Sequence, residues 1–426
     1  MEETQHEKMA AVKEKTRAAG AEVTRAYARS EFGRAIIRRE IVEGAQIKAG
    51  DHALLLWETS VADGIEEVVR VAAEIVRELG AKSIIMQLDE HIPLRRGTAP
   101  GAWSYLEKFQ PDPAVVNAIR GADIVLDYTR NSRGAQKYNQ VFYTLSMYYG
   151  KRICARRAVE APEVLSDDPE APVASPEALS YPSEVLRAIG RRVNETLIAA
   201  AEARDTFKLT NPWGTDLRFT ALPGDVSQPF GGIRRYPAAN SFDFSGDDNN
   251  RIWNALAGFA MTQSCDGVWV AKHSTLLGGV LNAPVTVKFK DGLIVGADGG
   301  EEAKKLLEVI ADEPSGVHAI LMGLNPKAAP FRRGEFMLDN NGAGVGTCHI
   351  ALGGPGLFYR HGAWSTVGNK HFQLGNIPKI SLWAGNRCVV QEGRLRALSD
   401  PAIKKEAERF GDPGKLLSQF DWPETV

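Results

Sequence analysis

Five of the chain's eight histidines, His273, His318, His349, His361 and His371, fall between residues 273 and 371, where an even spread over 426 residues would put about two. Imidazole is the commonest protein metal ligand and binds as a neutral donor near physiological pH. Three of the five stand in unusual surroundings. His318 lies in SGVHAILMGLNP, on a short apolar run just after a helical stretch, while His349 in GVGTCHIALGGPG and His371 in GNKHFQLGNIP are bracketed by glycines. Glycine lets the backbone turn sharply and approach a ligand closely, so that separate strands can converge. No two histidines are spaced as on one helical face, so a site must assemble from distant segments. Two glycine runs carry less. Gly342-Ala343-Gly344-Val345-Gly346 has the density of a phosphate loop, but a β-like run follows it rather than a helix N-terminus, and Gly353-Gly354-Pro355-Gly356 reads as a turn. The four cysteines (Cys154, Cys265, Cys348, Cys388) include no Cys-x-x-Cys pair, which predicts buried free thiols rather than a zinc knuckle or disulfide frame.

The elements that must position these residues divide the chain in two. Residues 1–45, rich in Ala, Glu, Lys and Arg, read as helical. Residues 52–57 (HALLLW) form a strand-like apolar run. After them Ser60 and Asp63 are placed to cap a helix with apolar positions Ile65, Val68, Val69, Ala72, Ile75, Val76 and Leu79, stopped at Gly80. Further strands are predicted at 83–86 and 123–126, and strands alternating with helices imply a parallel sheet covered on both faces. Prolines at 162, 169, 172, 176 and 182 mark a linker over 158–182, followed by a helix at about 183–204. Beyond Asp205 short β-like runs separated by glycine take over. PVTVKFK (284–290) followed by Asp291-Gly292 is a hairpin signal, and 302–312 is the clear helix of this half. The expectation is an α/β N-terminal domain with a parallel sheet over 1–205 and a β-rich (α+β) C-terminal metal-binding domain over 206–426.

Composition narrows the function classes. Fifty-one Lys and Arg against 53 Asp and Glu leave a net charge of −2. That balance lacks the basic excess that nucleic-acid binding needs. The longest apolar stretches fall far short of the ~20 residues of a membrane span. The opening MEETQHEKMA has no signal-peptide character. A soluble, cytoplasmic, well-folded protein with no nucleic-acid or membrane partner is expected.

LTNPWGTDLRFTA (209–221), MGLNPKA (322–328), MLDNNGAGVGTCHIALGG (337–354) and the His371 segment resemble the aminopeptidase T family of metallo-aminopeptidases, as does VEAPEVL (159–165) more loosely. The same superfamily holds 2,5-dihydroxypyridine dioxygenases and 5-nitroanthranilic acid aminohydrolase. The resemblance, running from about residue 50 to 395, implies an N-terminal α/β domain, a C-terminal β-rich metal domain and a homo-oligomer. His349 and His371 match family histidines, His318 falls near another, and Asp266 matches an upstream acidic position. The departures are informative. The family's glutamate before the G-x-N-P turn falls at Ala319, its glutamate after Asp339 at Asn340, and its aspartate two residues beyond the last histidine at Gln373. Without these carboxylates two divalent cations held together would repel each other uncompensated. The dioxygenase pattern of two histidines and a carboxylate meets the same gap at Gln373. His318 also stands one residue further from Gly323 than in those relatives, which requires a strand bulge or a register shift.

What remains is a nitrogen-rich site for one divalent transition metal, Mn first, with Fe, Co or Zn as alternatives. Its ligands would be His318, His349 and His371, with Asp266 or Asp339 completing the shell or serving as a base. The implied chemistry is that of the aminohydrolase relative: replacement of an aromatic amine by hydroxyl, 5-nitroanthranilate giving 5-nitrosalicylate and ammonia. Such a reaction needs donors facing the nitro and carboxylate groups of a small aromatic substrate. Arg333 and the Gln373 amide are the candidates, with Arg332 and Arg360 as further arginines and Phe372 or Trp364 against the ring. The alternatives are an aminopeptidase with a diverged site, a ring-cleaving non-haem iron dioxygenase, and a binding protein that kept only the fold.

Overall fold

The computed structural model describes residues 21–58, 64–88, 113–128, 149, 151–155, 176–223, 226–227, 256–260, 264–274, 279–311, 316–328, 331–332, 335–336, 344–353 and 372–422. The charged N-terminal stretch is helical where described: α1 over 21–29, then α2, Glu31–Arg39, capped by the Ser30 hydroxyl, which accepts from the Gly33 amide at 2.9 Å. The apolar run at 52 becomes β1, His52–Glu58, with Ala53, Leu54, Leu55 and Leu56 all buried. The periodic stretch after it is α3, Ile65–Glu78, burying the predicted apolar positions Ile65, Val68, Val69, Ala72, Ile75 and Val76. Its N-cap is Gly64 at φ +92°, not Ser60 or Asp63, both of which lie outside the described residues. There follow β2 (Lys82–Leu88), α4 (Pro113–Gly121), β3 (Ile124–Asp127) and β4 (Arg152–Ala155). The four strands pair in parallel in the order β2-β1-β3-β4. Arginines of α1 and α2 reach the glutamates of α3: Arg25–Glu66 and Arg29–Glu67 at 2.7 Å, Arg34–Glu74 at 3.0 Å. Glu67 is buried, and the guanidiniums of Arg70 and Arg29 hold its carboxyl down to about 2.

The described residues form two compact units, the first ending at 155 and the second beginning at 176. The next long helix, α5 (Ser183–Glu202), belongs to the second unit, ahead of the boundary expected at 205. Its face of Val185, Leu186, Ile189, Val193 and Leu197 lies in that unit's core with Phe207, Trp269 and Ile350. A helix is grouped with whatever buries its apolar stripe, whatever the composition of the linker before it.

The second unit carries strands β5 (Phe207–Thr210), β6 (Asp216–Phe219), β7 (Val226–Ser227), β8 (Leu256–Ala260), β9 (Cys265–Ser274), β10 (Gly279–Lys290) and β11 (Leu293–Asp298). Helix α6 (Gly300–Ile310) precedes β12 (Gly316–Gly323), β13 (Phe331–Arg332), β14 (Glu335–Phe336), β15 (Cys348–Gly353), β16 (Phe372–Ile377), β17 (Ser381–Ala384), β18 (Arg387–Gln391) and β19 (Arg394–Leu395). Helices α7 (Pro401–Ala407) and α8 (Pro413–Leu416) follow. The predicted hairpin is β10–β11, turning through Asp291 at φ +52° and Gly292 at φ +79°. Except for β13 and β14, which pair with each other, the strands form one antiparallel sheet. Within it β10-β11-β12-β15-β16-β9 returns to β10 and closes a ring of six. The molecule is therefore a mixed α/β fold with a small parallel sheet and a large antiparallel one. Among the described residues no helix is long and apolar enough to cross a membrane.

Candidate functional site

Strands β12, β15 and β16 are neighbours in the ring, and they carry His318, His349, Phe372 and Gln373. β15 contributes the alternate residues Cys348, Ile350 and Leu352 to the core, and β12 contributes Val317, then Ile320 and Met322. His349 falls between core positions, directly across from Leu321. Gln373 pairs with Ala351, and Phe372 with the buried Leu352.

The register breaks at both histidines. On β12, Val317 pairs with Leu352 and Ala319 with Ala351, leaving His318 as an extra residue. Between β15 and β16, Cys348 pairs with Ile377 and Ile350 with Leu374, so His349 alone opposes Gly375 and Asn376. Bulges of this kind bend a strand and re-aim one residue, and they concentrate beside active sites. The irregularity required by the spacing from His318 to Gly323 thus stands at His318 itself.

Asp266 stands at the far end of β9 from its pairing with β16. It lies near the start of β9, opposite Arg218 of β6, while β9 meets β16 only at its other end, through Ser274 and Leu374. Eight residues of strand separate the two points, about 26 Å at ~3.3 Å per residue. The Asp266 carboxylate is exposed and accepts from the Asp291 amide at 2.8 Å, closing the β10–β11 turn. His273, given no role from the sequence, is next to Ser274 and so beside β16. No local signal announces a pairing between strands a hundred residues apart. His371, Asp339, Arg333, Arg360 and Trp364 lie outside the described residues.

The stretches that carry the family resemblance serve mostly as fasteners. In LTNPWGTDLRFTA, the Asn211 side-chain oxygen accepts from the amides of Trp213 (3.2 Å) and Thr215 (3.1 Å), and Gly214 takes φ +102°. The Thr215 hydroxyl oxygen accepts from the Val270 amide at 3.0 Å and ties β6 to β9. In MGLNPKA, Asn325 accepts from the Lys327 amide at 2.9 Å and donates to the Ala178 carbonyl at 3.1 Å. Lys327 donates to the Lys415 carbonyl at 2.6 Å and the Ser418 carbonyl at 2.8 Å. Before β15, a Cβ on Gly346 would stand 2.1 Å from the Gly393 carbonyl, so only glycine fits. The Thr347 hydroxyl donates to the Gly344 carbonyl at 2.6 Å. Cys348, beside His349, is a core residue whose thiol burial pushes up, and burial with Asp266 nearby pushes the Cys265 thiol up to about 12.

The donor set decides which metal could fit. β12 reads GVHAILMG, β15 CHIALG and β16 FQLGNI, without an aspartate or glutamate. Histidines on adjacent strands with no carboxylate beside them suit one transition-metal ion, and suit neither Mg²⁺ nor Ca²⁺ nor a close metal pair. Among the described residues no group of three or more His, Cys, Asp or Glu side chains gathers closely enough to hold a metal ion.

No family model and no curated protein matches the chain by sequence. Two solved structures share its fold. The 2,5-dihydroxypyridine dioxygenase from Pseudomonas putida KT2440 aligns at TM-score 0.51 and 16% identity, covering 85% of this chain and 96% of that one. AmpT from Thermus thermophilus aligns at TM-score 0.50 and 15% identity, covering 85% and 98%. At these identities the likeness establishes a common fold across nearly the whole length of both proteins.

Proposed function

We propose that the chain is a metal-dependent aminohydrolase that replaces the amine of a small aromatic acid by hydroxyl and releases ammonia, with 5-nitroanthranilate as the leading substrate. The observation that carries this reading is the pair of register breaks on β12 and β15–β16. His318 and His349 are residues of the adjacent strands β12 and β15 at these breaks, and Gln373 of β16 pairs with Ala351; an amide at that position, in place of a carboxylate that would favour iron and oxygen chemistry, supports the reading. Both fold neighbours are named as enzymes, one of them acting on a dihydroxypyridine, which supports a small-ring substrate.

His318, His349 and His371 would hold one divalent ion, Mn ahead of Fe, Co or Zn. When bound, such an ion lowers the pKa of a coordinated water toward neutrality and orients it. The chain's residues do the rest. Gln373 would donate its amide N–H to a substrate anion, and Arg333 would face the nitro or carboxylate group, where negative charge grows as water adds to the ring carbon. Asp339 is an acidic candidate to take the proton of that water and pass it to the departing amine. The balance is Ar–NH₂ + H₂O giving Ar–OH + NH₃, with no oxidant.

The test is a paired assay of ammonia release and oxygen consumption on metal-loaded protein with 5-nitroanthranilate and 2,5-dihydroxypyridine. Ammonia without oxygen uptake supports the proposal; oxygen uptake without ammonia replaces it with a ring-cleaving dioxygenase. Activity on aminoacyl substrates alone would return the chain to peptide hydrolysis.

A further inference from the structure

We propose that His273 belongs to the same metal site as His349, as a further imidazole ligand from a fourth strand, β9; this rests on the single-metal reading above. Strand β16 lies between β9 and β15 in the ring. Ser274 of β9 pairs with Leu374 of β16, and Leu374 pairs in turn with Ile350 of β15. The β9–β16 pairing is antiparallel, so one step back from Ser274 and one step on from Leu374 bring His273 level with Gly375. Gly375 is also one of the two residues that oppose His349 across the other edge of β16. His273 and His349 thus stand on either side of the same residue, and that residue is glycine.

Two strand spacings of ~4.8 Å separate the backbones at the two histidines, about 10 Å in all. Two imidazoles can close such a span on one ion, with metal–nitrogen bonds of ~2 Å. The glycine between them leaves the space clear, because it brings no side chain of its own. The ladders give a second, independent reason. β9 pairs His273 with Val280 and then Ala271 with Val285, so Lys272 alone opposes residues 281–284 of β10. The ring's ladders slip in four places, and three of these adjoin a histidine: His273, His318 and His349. The fourth, between Lys288 and Phe289, adjoins none. Such breaks re-aim a residue at the expense of regular pairing, and they gather beside active sites. A further neutral nitrogen donor suits the same transition-metal chemistry as the set proposed above.

The test is titration of the metal-free full chain with cobalt(II), followed by visible absorption, for the wild type, His349→Ala and His273→Ala. Circular dichroism of each metal-free variant checks the fold. His273→Ala is expected to stay folded, to weaken cobalt binding by about 100-fold or more and to shift the visible band. The loss exceeds the 10–100-fold typical of residues outside a ligand shell, and the band moves because a nitrogen has left the ion. Should His273→Ala not fold, His273→Gln keeps the bulk, offers an amide in place of the imidazole and carries the same two expectations. A visible band unchanged by loss of His273, while His349→Ala abolishes binding, would overturn this proposal and leave the metal site standing. A wild type that takes up no cobalt, or a His349→Ala variant that binds it as the wild type does, would remove the site itself.

Discussion

Two ladders of the same sheet solve different problems. Between β5 and β6, and on to β9, every pair follows the last without a break, from Phe207–Phe219 to Thr210–Asp216 and from Asp216–Val268 to Phe219–Cys265. Between β12, β15 and β16 the register slips twice, at His318 and at His349. In the first ladder the polar side chains are spent on backbone groups: Asn211 and Thr215 close a turn and fasten a strand. In the second, one slip leaves His318 outside the alternation of β12 and the other falls on β16 opposite His349, while Val317, Ile320, Ile350 and Leu352 keep the core filled. A regular ladder stabilises the fold, and an irregular one gives up part of that to place a residue.

The contrast can be broken by substitution. His349→Ala should lower turnover by more than about 100-fold, above the 10–100-fold typical of changes outside a metal's ligand shell, while the melting temperature hardly moves. Loss of folding together with activity would place His349 in the core instead. His318→Ala should weaken metal affinity by about 100-fold or more, read by titration calorimetry, above the range for residues outside the ligand shell, while a bulge residue can be truncated without disturbing its neighbours' pairs. In the regular ladder, Thr215→Val should cost about 1–3 kcal/mol, the penalty of a buried amide left without its acceptor, as measured by denaturant unfolding, and leave metal affinity intact. Asp266→Ala is the smallest change. It should cost about 0.5–1.5 kcal/mol for one exposed turn contact and leave turnover untouched. A large loss of turnover in that variant would bring Asp266 back into the chemistry.

Local features were legible. The apolar stripe from Ile65 to Val76, the Asp291-Gly292 turn and the helix from Ser183 all follow from spacing and turn chemistry within a short window. The start of α3 was not, because the helix begins at Gly64, in a left-handed conformation and with no side-chain cap, and the predicted caps Ser60 and Asp63 lie outside the described residues. Features that depend on strand order were hidden for a physical reason. HIALG and DLRF read as the same alternation of apolar and other residues, and only the partner strand decides whether the register slips. Asp266 looked acidic and upstream, yet the length of β9 carries it away from β16. The stretches that carry the resemblance are mostly turns, which tolerate few residues, and so they speak more clearly about the fold than about the site.

The central claim is that the irregular strands β12, β15 and β16 hold a single transition metal and the regular ladder does not. The most direct measurement is metal bound per chain, by equilibrium dialysis against Mn²⁺ and elemental analysis, for the wild type, His349→Ala and Thr215→Val. The account predicts one equivalent in the wild type and in Thr215→Val, and none in His349→Ala. Equal uptake by His349→Ala, or no uptake by the wild type even with substrate present, would contradict it.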